Sequence, residues 1–155
     1  MKETIALPLW ILTALLTALP LSSQGLPVQD LELSGVTLVQ STEQIRGRLG
    51  APVATHRTRD ASTGEPASIA VFPQLTAYFV ADEVMRLKTD DPDVSTPAGA
   101  RVGDTVERVL ELYAPVVPRS RSSERLELQV EGTEAWLVFH LYRNRVTAIE
   151  LLLAY

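Results

Sequence analysis

The strongest constraint on the fold of this chain is a pattern that occurs twice, 64 residues apart. The residues that match at this offset are Gly35 and Gly99, Leu38 and Val102, Ser41 and Thr105, Glu43 and Glu107, Ile45 and Val109, and Leu49 and Tyr113. Self-similarity at a fixed period is typical of repeated supersecondary units. We therefore expect two related units, 35–89 and 98–155, joined by a Pro/Asp/Ser/Thr-rich linker at 90–97.

Each unit is expected to begin with a short helix. Ser41 and Gln44 have the spacing of a capping box, and Gly50 follows the helical pattern at its end. In the second unit, Thr105 precedes apolar residues at helical spacing, and Pro115 closes the element. Helices of about nine or ten residues are marginal alone, so both should pack on a sheet.

The remainder of each unit alternates apolar and polar residues at period two, which predicts strands. The predicted strands are 68–72, 75–81, 84–88, 125–130, 135–142 and 145–155. One side of these strands is strongly apolar and the other is mixed, the pattern of an antiparallel sheet with one covered face. The predicted fold class is α+β, in which two repeated helix-plus-antiparallel-strand units form one sheet of about six strands with the helices on one face.

The N-terminal residues 1–25 have the form of a secretory signal peptide. Lys2 gives a positive end, 5–21 is an apolar run, and Gly25 is a small residue suited to a cleavage site. The run of about 17 residues is shorter than the roughly 20 that span the hydrocarbon core of a bilayer. We therefore expect a secreted or periplasmic protein, with a retained membrane anchor as the alternative. Residues 26–34 are predicted to be a linker between the leader and the first unit.

Charge and cysteine content exclude several classes of function. The chain has no cysteine, so neither disulfides nor a lipidated thiol are expected. Its formal net charge is −5, which argues against a nucleic-acid role. No segment after the leader is long and apolar enough to span a membrane.

The sequence predicts no catalytic, cofactor or metal site. His56 and His140 lie far apart in the sequence, without the local spacing of metal-binding histidines. No motif flanks a serine or threonine as a nucleophile would require. We therefore expect a protein that is not an enzyme and that needs no cofactor.

Two arginine-rich stretches lie at equivalent places in the two units. In the first unit, Arg57 and Arg59 precede Asp60. In the second, the arginines are Arg119, Arg121 and Arg125, with Glu124 beside them. Local pairing with these acids on a solvated loop is the expected arrangement. The alternative is that the arginines grip the carboxylates or phosphates of an anionic partner.

The candidate partner-binding residues lie on the mixed side of the predicted sheet. They are Tyr78, Arg86, Trp136, His140 and Tyr142. Aromatic residues and arginine contribute most of the binding energy at protein interfaces. The alternative is that the aromatic residues are packing pairs between neighbouring strands or lie beneath the linker.

The tandem pattern resembles the β-lactamase-inhibitor-protein-like fold, which the small outer-membrane assembly lipoproteins of the BamE/SmpA type share in single copy. The residues that carry the resemblance are Gly35, Leu49-Gly50, Gly99, Val102-Gly103-Asp104 and Tyr113. The resemblance implies protein binding through an open sheet, without catalysis. The chain departs from both groups because it lacks the disulfide cysteines of the inhibitors and the lipidated cysteine of the lipoproteins.

The function predicted from the sequence is an exported, non-enzymatic module that presents an open sheet face to another protein, either as an inhibitor or in envelope assembly. Three alternatives remain. The first is a domain that binds a small molecule or a polymer, the second a hydrolase that uses His140 with nearby carboxylates, and the third a structural envelope protein whose exposed strand edge pairs with another chain.

Overall fold

The computed structural model describes residues 25–153, apart from the side chain of Gln29. Apart from Gly25, the predicted signal peptide lies outside the described residues, as do the last two residues of the final predicted strand. Within the described part of the chain, no helix is long and apolar enough to cross a membrane.

The described residues form an α+β fold of two short helices and ten strands. The helices are α1 (Thr42–Leu49) and α2 (Val106–Leu112). The strands are β1 (Glu32–Leu33), β2 (Val36–Thr37), β3 (Ala54–Arg59), β4 (Pro66–Val71), β5 (Thr76–Val80), β6 (Glu83–Thr89), β7 (Ser120–Arg121), β8 (Arg125–Gln129), β9 (Ala135–Tyr142) and β10 (Arg145–Leu153). A single 3₁₀ turn covers Val28–Asp30.

Eight of the strands form one open antiparallel sheet in the order β3-β4-β5-β6-β10-β9-β8-β7, while β1 and β2 form a separate hairpin. The predicted α+β class is confirmed, but the prediction of about six strands was too low. Strand β3 was missed because its sequence, ATHRTR, has almost no apolar residue to alternate with the polar ones. Strand β7 was missed because it has two residues.

Both predicted helix starts are confirmed. The backbone N–H of Gln44 donates to Ser41 Oγ (3.3 Å), and the backbone N–H of Ser41 donates to Gln44 Oε1 (2.9 Å), which completes the capping box. Thr105 Oγ1 accepts from the backbone N–H of Arg108 in the same way (3.3 Å). Gly50 ends α1 with a φ of 84°, a left-handed conformation that favours glycine.

The helices pack on one face of the sheet, and the hydrophobic core lies between the helices and the sheet. Ile45 of α1 and Val109 of α2 are fully buried in the same cluster as Phe79, Phe139 and Leu151. The covered positions of the sheet are those predicted from the alternation. Burial of these apolar side chains is the main force that holds two helices of such length in place.

Tight two-residue turns connect β5 to β6 and β9 to β10. Ala81 and Asp82 have φ values of 49° and 69°, and Arg143 and Asn144 have φ values of 49° and 64°. Positive φ at both central residues is the signature of a type I′ turn, whose twist matches that of the strands it joins. These turns fix the register of the β5–β6 and β9–β10 hairpins.

The segment 26–34, whose composition suggested a linker, contributes to the core. Leu26, Leu31 and Leu33 are buried there, and the backbone N–H of Leu26 donates to the carbonyl of Gln129 (3.0 Å). The leucines follow no regular period, because the segment consists of a 3₁₀ turn and a two-residue strand. Periodicity alone therefore could not assign it to the core.

The segment 90–97 is likewise packed against the fold. Thr96 is buried, and its Oγ1 accepts hydrogen bonds from the Tyr113 hydroxyl (2.7 Å) and from the backbone N–H of Ala100 (3.1 Å). Burial raises the pKa of Tyr113 above its ordinary value. The phenol stays protonated at neutral pH and donates the bond that ties this segment to the end of α2.

We expect Leu26→Ala to lower the free energy of unfolding by about 2–5 kcal/mol, because the side chain is fully buried in the core. Val28→Ala, two residues away at a side chain that is 60% exposed, should change it by about 0.5 kcal/mol or less. Urea unfolding followed by circular dichroism measures both variants. Equal stability of the two variants would show that 26–34 is not part of the folded core.

Candidate functional site

The face of the sheet opposite the helices carries the candidate site, and we call it the open face. A row of residues in cross-strand register runs across seven of its strands. In order from β8 to β3, the row is Gln129, Trp136, Leu152, Arg86, Tyr78, Ile69 and His56. Trp136, Arg86 and Tyr78, predicted from the sequence as partner-binding residues, thus lie in one line on one surface.

Glu150 lies at the centre of the open face, next to this row. Its side chain is only 8% exposed. Oε1 is 3.2 Å from Arg86 Nε, and Oε2 is 2.6 Å from His140 Nε2. One carboxylate therefore joins a residue of β6 to a residue of β9 from its position on β10.

The two partners explain how this carboxylate is tolerated in a buried position. An ionised carboxylate removed from water is unfavourable unless charged or hydrogen-bonding groups compensate it. Arg86 supplies a permanent positive charge, and the imidazole of His140 supplies a hydrogen bond. Both side chains lose rotational freedom through these contacts, so they are held in place before any partner arrives.

Tyr78 continues this network toward the β3 side of the sheet. The Arg86 guanidinium lies 6.0 Å from the centre of the Tyr78 ring, a cation–π arrangement. The Tyr78 hydroxyl donates to Asp60 Oδ2 (2.8 Å), at the turn after β3. The chain of contacts therefore runs from His140 through Glu150, Arg86 and Tyr78 to Asp60.

Asp60 is fixed by its own turn. The Ser62 hydroxyl, the backbone N–H of Thr63 and the Tyr78 hydroxyl all donate to its carboxylate, and together they hold the pKa of Asp60 well below its ordinary value. The carboxylate stays ionised at any pH near neutrality. The carboxylate accepts hydrogen bonds from the β3–β4 turn and from Tyr78. The predicted local pairing of Asp60 with Arg57 and Arg59 is therefore not what the structure shows.

Trp136 and Tyr142 mark the two ends of β9 on this face. Trp136 is half-buried between Gln129 and Leu152 in register. Tyr142 is 63% exposed at the end of the β9–β10 hairpin, and the Arg143 guanidinium lies 5.1 Å from the centre of its ring. At about 3.3 Å per residue the two aromatic residues are roughly 20 Å apart, a separation that a single interface of standard size covers.

The two histidines share the open face but do not form a pair. His56 is on β3 and His140 on β9, five strand spacings apart, or roughly 24 Å. Within the described residues, no group of three or more His, Asp or Glu side chains is arranged to hold a metal ion.

A surface cavity of about 540 Å³ lies near the start of α2. It is lined by Val106, Arg121, Ser122, Ser123, Leu141, Arg143 and Asn144. Neither His140 nor Glu150 lines it, so this cavity and the titratable pair on the open face are separate features of the molecule.

The alternation of apolar and polar residues along the last predicted strand, 145–155, puts Glu150 on the mixed side of the sheet, but it does not predict the burial of Glu150 or its two partners. These depend on the pairing of β6 with β10, which aligns Glu150 with Lys88 and brings Arg86 alongside on the same face. The role of Asp60 was also missed, because its contact with Tyr78 joins residues 18 positions apart. The polar cluster Asp60-Ala61-Ser62-Thr63-Gly64 was the signal for a turn there.

Comparison with known proteins gives one informative match. No protein-family model matches the chain, and no curated protein sequence matches it. The fold is similar to the 1.5 Å crystal structure of an extracellular protein containing an SCP domain from Bacillus anthracis strain Ames, with a TM-score of 0.57 and 10% sequence identity. The similarity covers 98% of this chain and 49% of the other, so the chain spans about half the length of that protein.

This match corrects the family resemblance drawn from the sequence. The likeness to the β-lactamase-inhibitor-protein-like fold and the BamE/SmpA-type lipoproteins was wrong, because the matching structure is that of an extracellular SCP-domain protein. The short motifs around Gly35, Gly50 and Gly99 describe turns and helix ends that many α+β folds need, so they did not identify a family. At 10% identity, the match shows the fold alone.

We expect Asp60→Asn to destabilise the protein at pH 7, because the amide loses the charge that accepts the hydrogen bonds of the turn. The folded-state pKa lies below the unfolded value of about 3.9, so the stabilisation is present above that pH and is lost as the pH falls through the folded pKa. The stability difference between wild type and variant should therefore shrink below about pH 4.

Thermal unfolding between pH 3 and pH 7 measures this difference, with Asp90→Asn as the control at an exposed aspartate. A difference between wild type and Asp60→Asn that does not change with pH would contradict the account of the turn.

Proposed function

We propose that the protein is an exported, non-enzymatic binding module whose open face contacts another protein. The observation that carries the proposal is the alignment of Trp136, Arg86 and Tyr78 in one cross-strand row beside the His140–Glu150–Arg86 network. Aromatic side chains and arginine at the centre of a surface are the usual sources of interface energy.

Preorganisation supports this proposal. Arg86 remains 55% exposed although Glu150 holds its guanidinium, and His140 remains 28% exposed although it contacts the same carboxylate. Side chains that are already ordered lose little conformational entropy when a partner binds. The face therefore offers a rigid polar centre with Trp136, Leu152 and Ile69 as the apolar contacts around it.

Two observations support export. The leader at 1–25 has the composition of a secretory signal peptide, and the structure with the similar fold belongs to an extracellular protein. The absence of cysteine is compatible with folding outside the cell, because buried leucine, valine and phenylalanine form the core without disulfide bonds.

The contacts of His140 favour binding over hydrolysis. A histidine oriented by a carboxylate is half of a nucleophile-activating arrangement, and a hydroxyl within hydrogen-bond reach of the free imidazole nitrogen is the other half. The hydroxyl of Thr147 instead bonds to the backbone carbonyl of His140 (3.3 Å). The imidazole faces Glu150 on an open sheet, where a reacting group would not be shielded from water.

We also propose that the sheet is built from two fused copies of one helix-plus-strand unit. Equivalent contacts support this. The bridge Ser41↔Glu83 corresponds to Thr105↔Arg145, and the bond from Val84 N–H to the Gln40 carbonyl (2.9 Å) corresponds to the bond from Val146 N–H to the Asp104 carbonyl (2.9 Å). In each unit, these contacts join the helix start to the first residues after a type I′ turn.

Affinity capture with the immobilised protein, exposed to envelope extract and culture medium of the source organism, tests the binding proposal. A partner retained in stoichiometric amount should bind Trp136→Ala with a loss of about 2 kcal/mol or more, roughly 30-fold in affinity, because truncation removes the largest apolar contact of the face. Val117→Ala, at a side chain that is 66% exposed outside the sheet, is the matched control.

The control should retain the partner at wild-type affinity. Equal recovery of the partner by Trp136→Ala and the wild type would show that binding does not use the open face. Retention of no protein at all would shift the proposal to the small-ligand or structural alternatives.

A further inference from the structure

Strand β3 forms one edge of the eight-stranded sheet and has a neighbour on one side only. Its six residues pair with β4 in consecutive register without a bulge, and all but Ala54 are exposed. No proline lies within the strand. A regular, exposed edge of this length presents unpaired backbone groups, and native proteins usually shorten, bend or cover such edges.

The alternation of hydrogen-bonded pairs between β3 and β4 shows which backbone groups of β3 face away from the sheet. The backbone N–H of Asp60 donates to the carbonyl of Glu65 (2.9 Å), which places the residue directly after β3 in a hydrogen-bonded pair with the neighbouring strand. Hydrogen-bonded pairs alternate along an antiparallel ladder. Thr55, Arg57 and Arg59 therefore direct their N–H and C=O groups away from β4. No backbone bond to another described residue engages these groups there, and the Thr58 hydroxyl donates to the carbonyl of Arg59 (3.5 Å).

The strand at the opposite edge of the sheet, β7, has only two residues. On the outer side of β8, the backbone N–H groups of Ser122, Arg119 and Leu26 donate to the carbonyls of Arg125 (2.8 Å), Glu127 (2.8 Å) and Gln129 (3.0 Å). Strand β7 and the N-terminal segment thus cover β8 along its length. Among the described residues, β3 is therefore the longer of the two edge strands of this sheet.

The side chains on this edge are cationic in an acidic protein. Arg57 and Arg59 project on the helix side of the sheet and His56 on the open face, whereas the whole chain has a formal net charge of −5. Arg59 Nη1 donates to the carbonyl of Gly64 (3.0 Å), which leaves its charge uncompensated. Among the described residues, no carboxylate pairs with either arginine.

A cavity of about 420 Å³ adjoins the edge on the helix side. Arg57, Pro66, Phe79 and Ala81 are among its lining residues, and so is Asp82 of the β5–β6 turn. A strand added beside β3 would point alternate side chains toward this cavity, because side chains alternate between the faces of a sheet. The cavity has room for one side chain of such a strand next to Arg57.

We propose that the β3 edge receives an extended acidic segment of another protein as a ninth strand of the sheet. Backbone hydrogen bonds to Thr55, Arg57 and Arg59 supply the affinity, and carboxylates opposite the two arginines supply the selectivity. This edge is distinct from the open face, so the inference does not depend on the function proposed for that face.

Charge decides against a second copy of this chain as the added strand. Antiparallel pairing of two β3 strands centred on Arg57 places Arg57 opposite Arg57, with the Arg59 side chains on the same face. Like charges directly opposite each other destabilise a strand pair. The arginines thus act against self-association and in favour of a strand of opposite charge.

Hydrogen exchange of the ¹⁵N-labelled protein tests the proposal with a defined probe, an acetylated and amidated heptapeptide that alternates glutamate and valine. At saturation, exchange of the Thr55, Arg57 and Arg59 amides should slow by about tenfold or more, because these N–H groups enter new hydrogen bonds. The matching peptide of lysine and valine should produce no such protection.

Two variants separate the backbone from the charge. Thr55→Pro removes one outward N–H, leaves both arginines in place and should weaken binding of the glutamate peptide by about tenfold. Arg57→Glu retains the N–H and should weaken binding of the glutamate peptide while it allows binding of the lysine peptide. Arg121→Glu, on β7 at the opposite edge of the sheet, is the charge control. This variant should bind the glutamate peptide as the wild type does.

Several results would overturn the proposal. They are no binding of the glutamate peptide at about 1 mM, equal binding of the lysine peptide to the wild type, or protection that centres on Trp136 instead of on β3. Should Thr55→Pro fail to fold, the reversal of peptide preference in Arg57→Glu still decides the question.

Discussion

The pairing of β6 with β10 is the contact on which the rest of the structure depends. It joins β3–β6 to β7–β10 into one sheet, with Leu87 opposite Leu151 on the covered side. A slip of one residue in this register would turn Leu151 to the open face and bring a charged neighbour into the core. The apolar pattern of β10 therefore sets both the continuity of the core and the position of Glu150.

The same pairing creates the polar centre of the open face. Glu150 on β10 contacts Arg86 on β6 and His140 on β9, so three central strands contribute to one network. The three side chains come from three different strands, so they meet only in this strand register. A buried carboxylate in this place also penalises alternative registers, because any slip would separate it from its compensating groups.

Local chemistry allowed much of the fold to be predicted from the sequence. Ser41 and Thr105 marked the helix starts because a capping hydroxyl bonds to the residue three positions on, and strand β9 was found because its apolar residues alternate without interruption. Strand β3 lacked that signal, since an edge strand with few buried side chains has no apolar face. The contacts of Glu150 and Asp60 could not be predicted, because they depend on which strands become neighbours and on how a loop folds back over the sheet.

The difference between the two edges of the sheet has a consequence for assembly. Growth of a fibre or an extended sheet by strand addition requires each unit to have two open edges, one to join the unit before it and one to accept the next. Strand β7 and the segment around Leu26 pair with the outer side of β8, so among the described residues the edge strands are β3, with six residues, and β7, with only two. Strand addition at β3 would therefore end at a one-to-one complex, because β7 has too little backbone to accept a second strand.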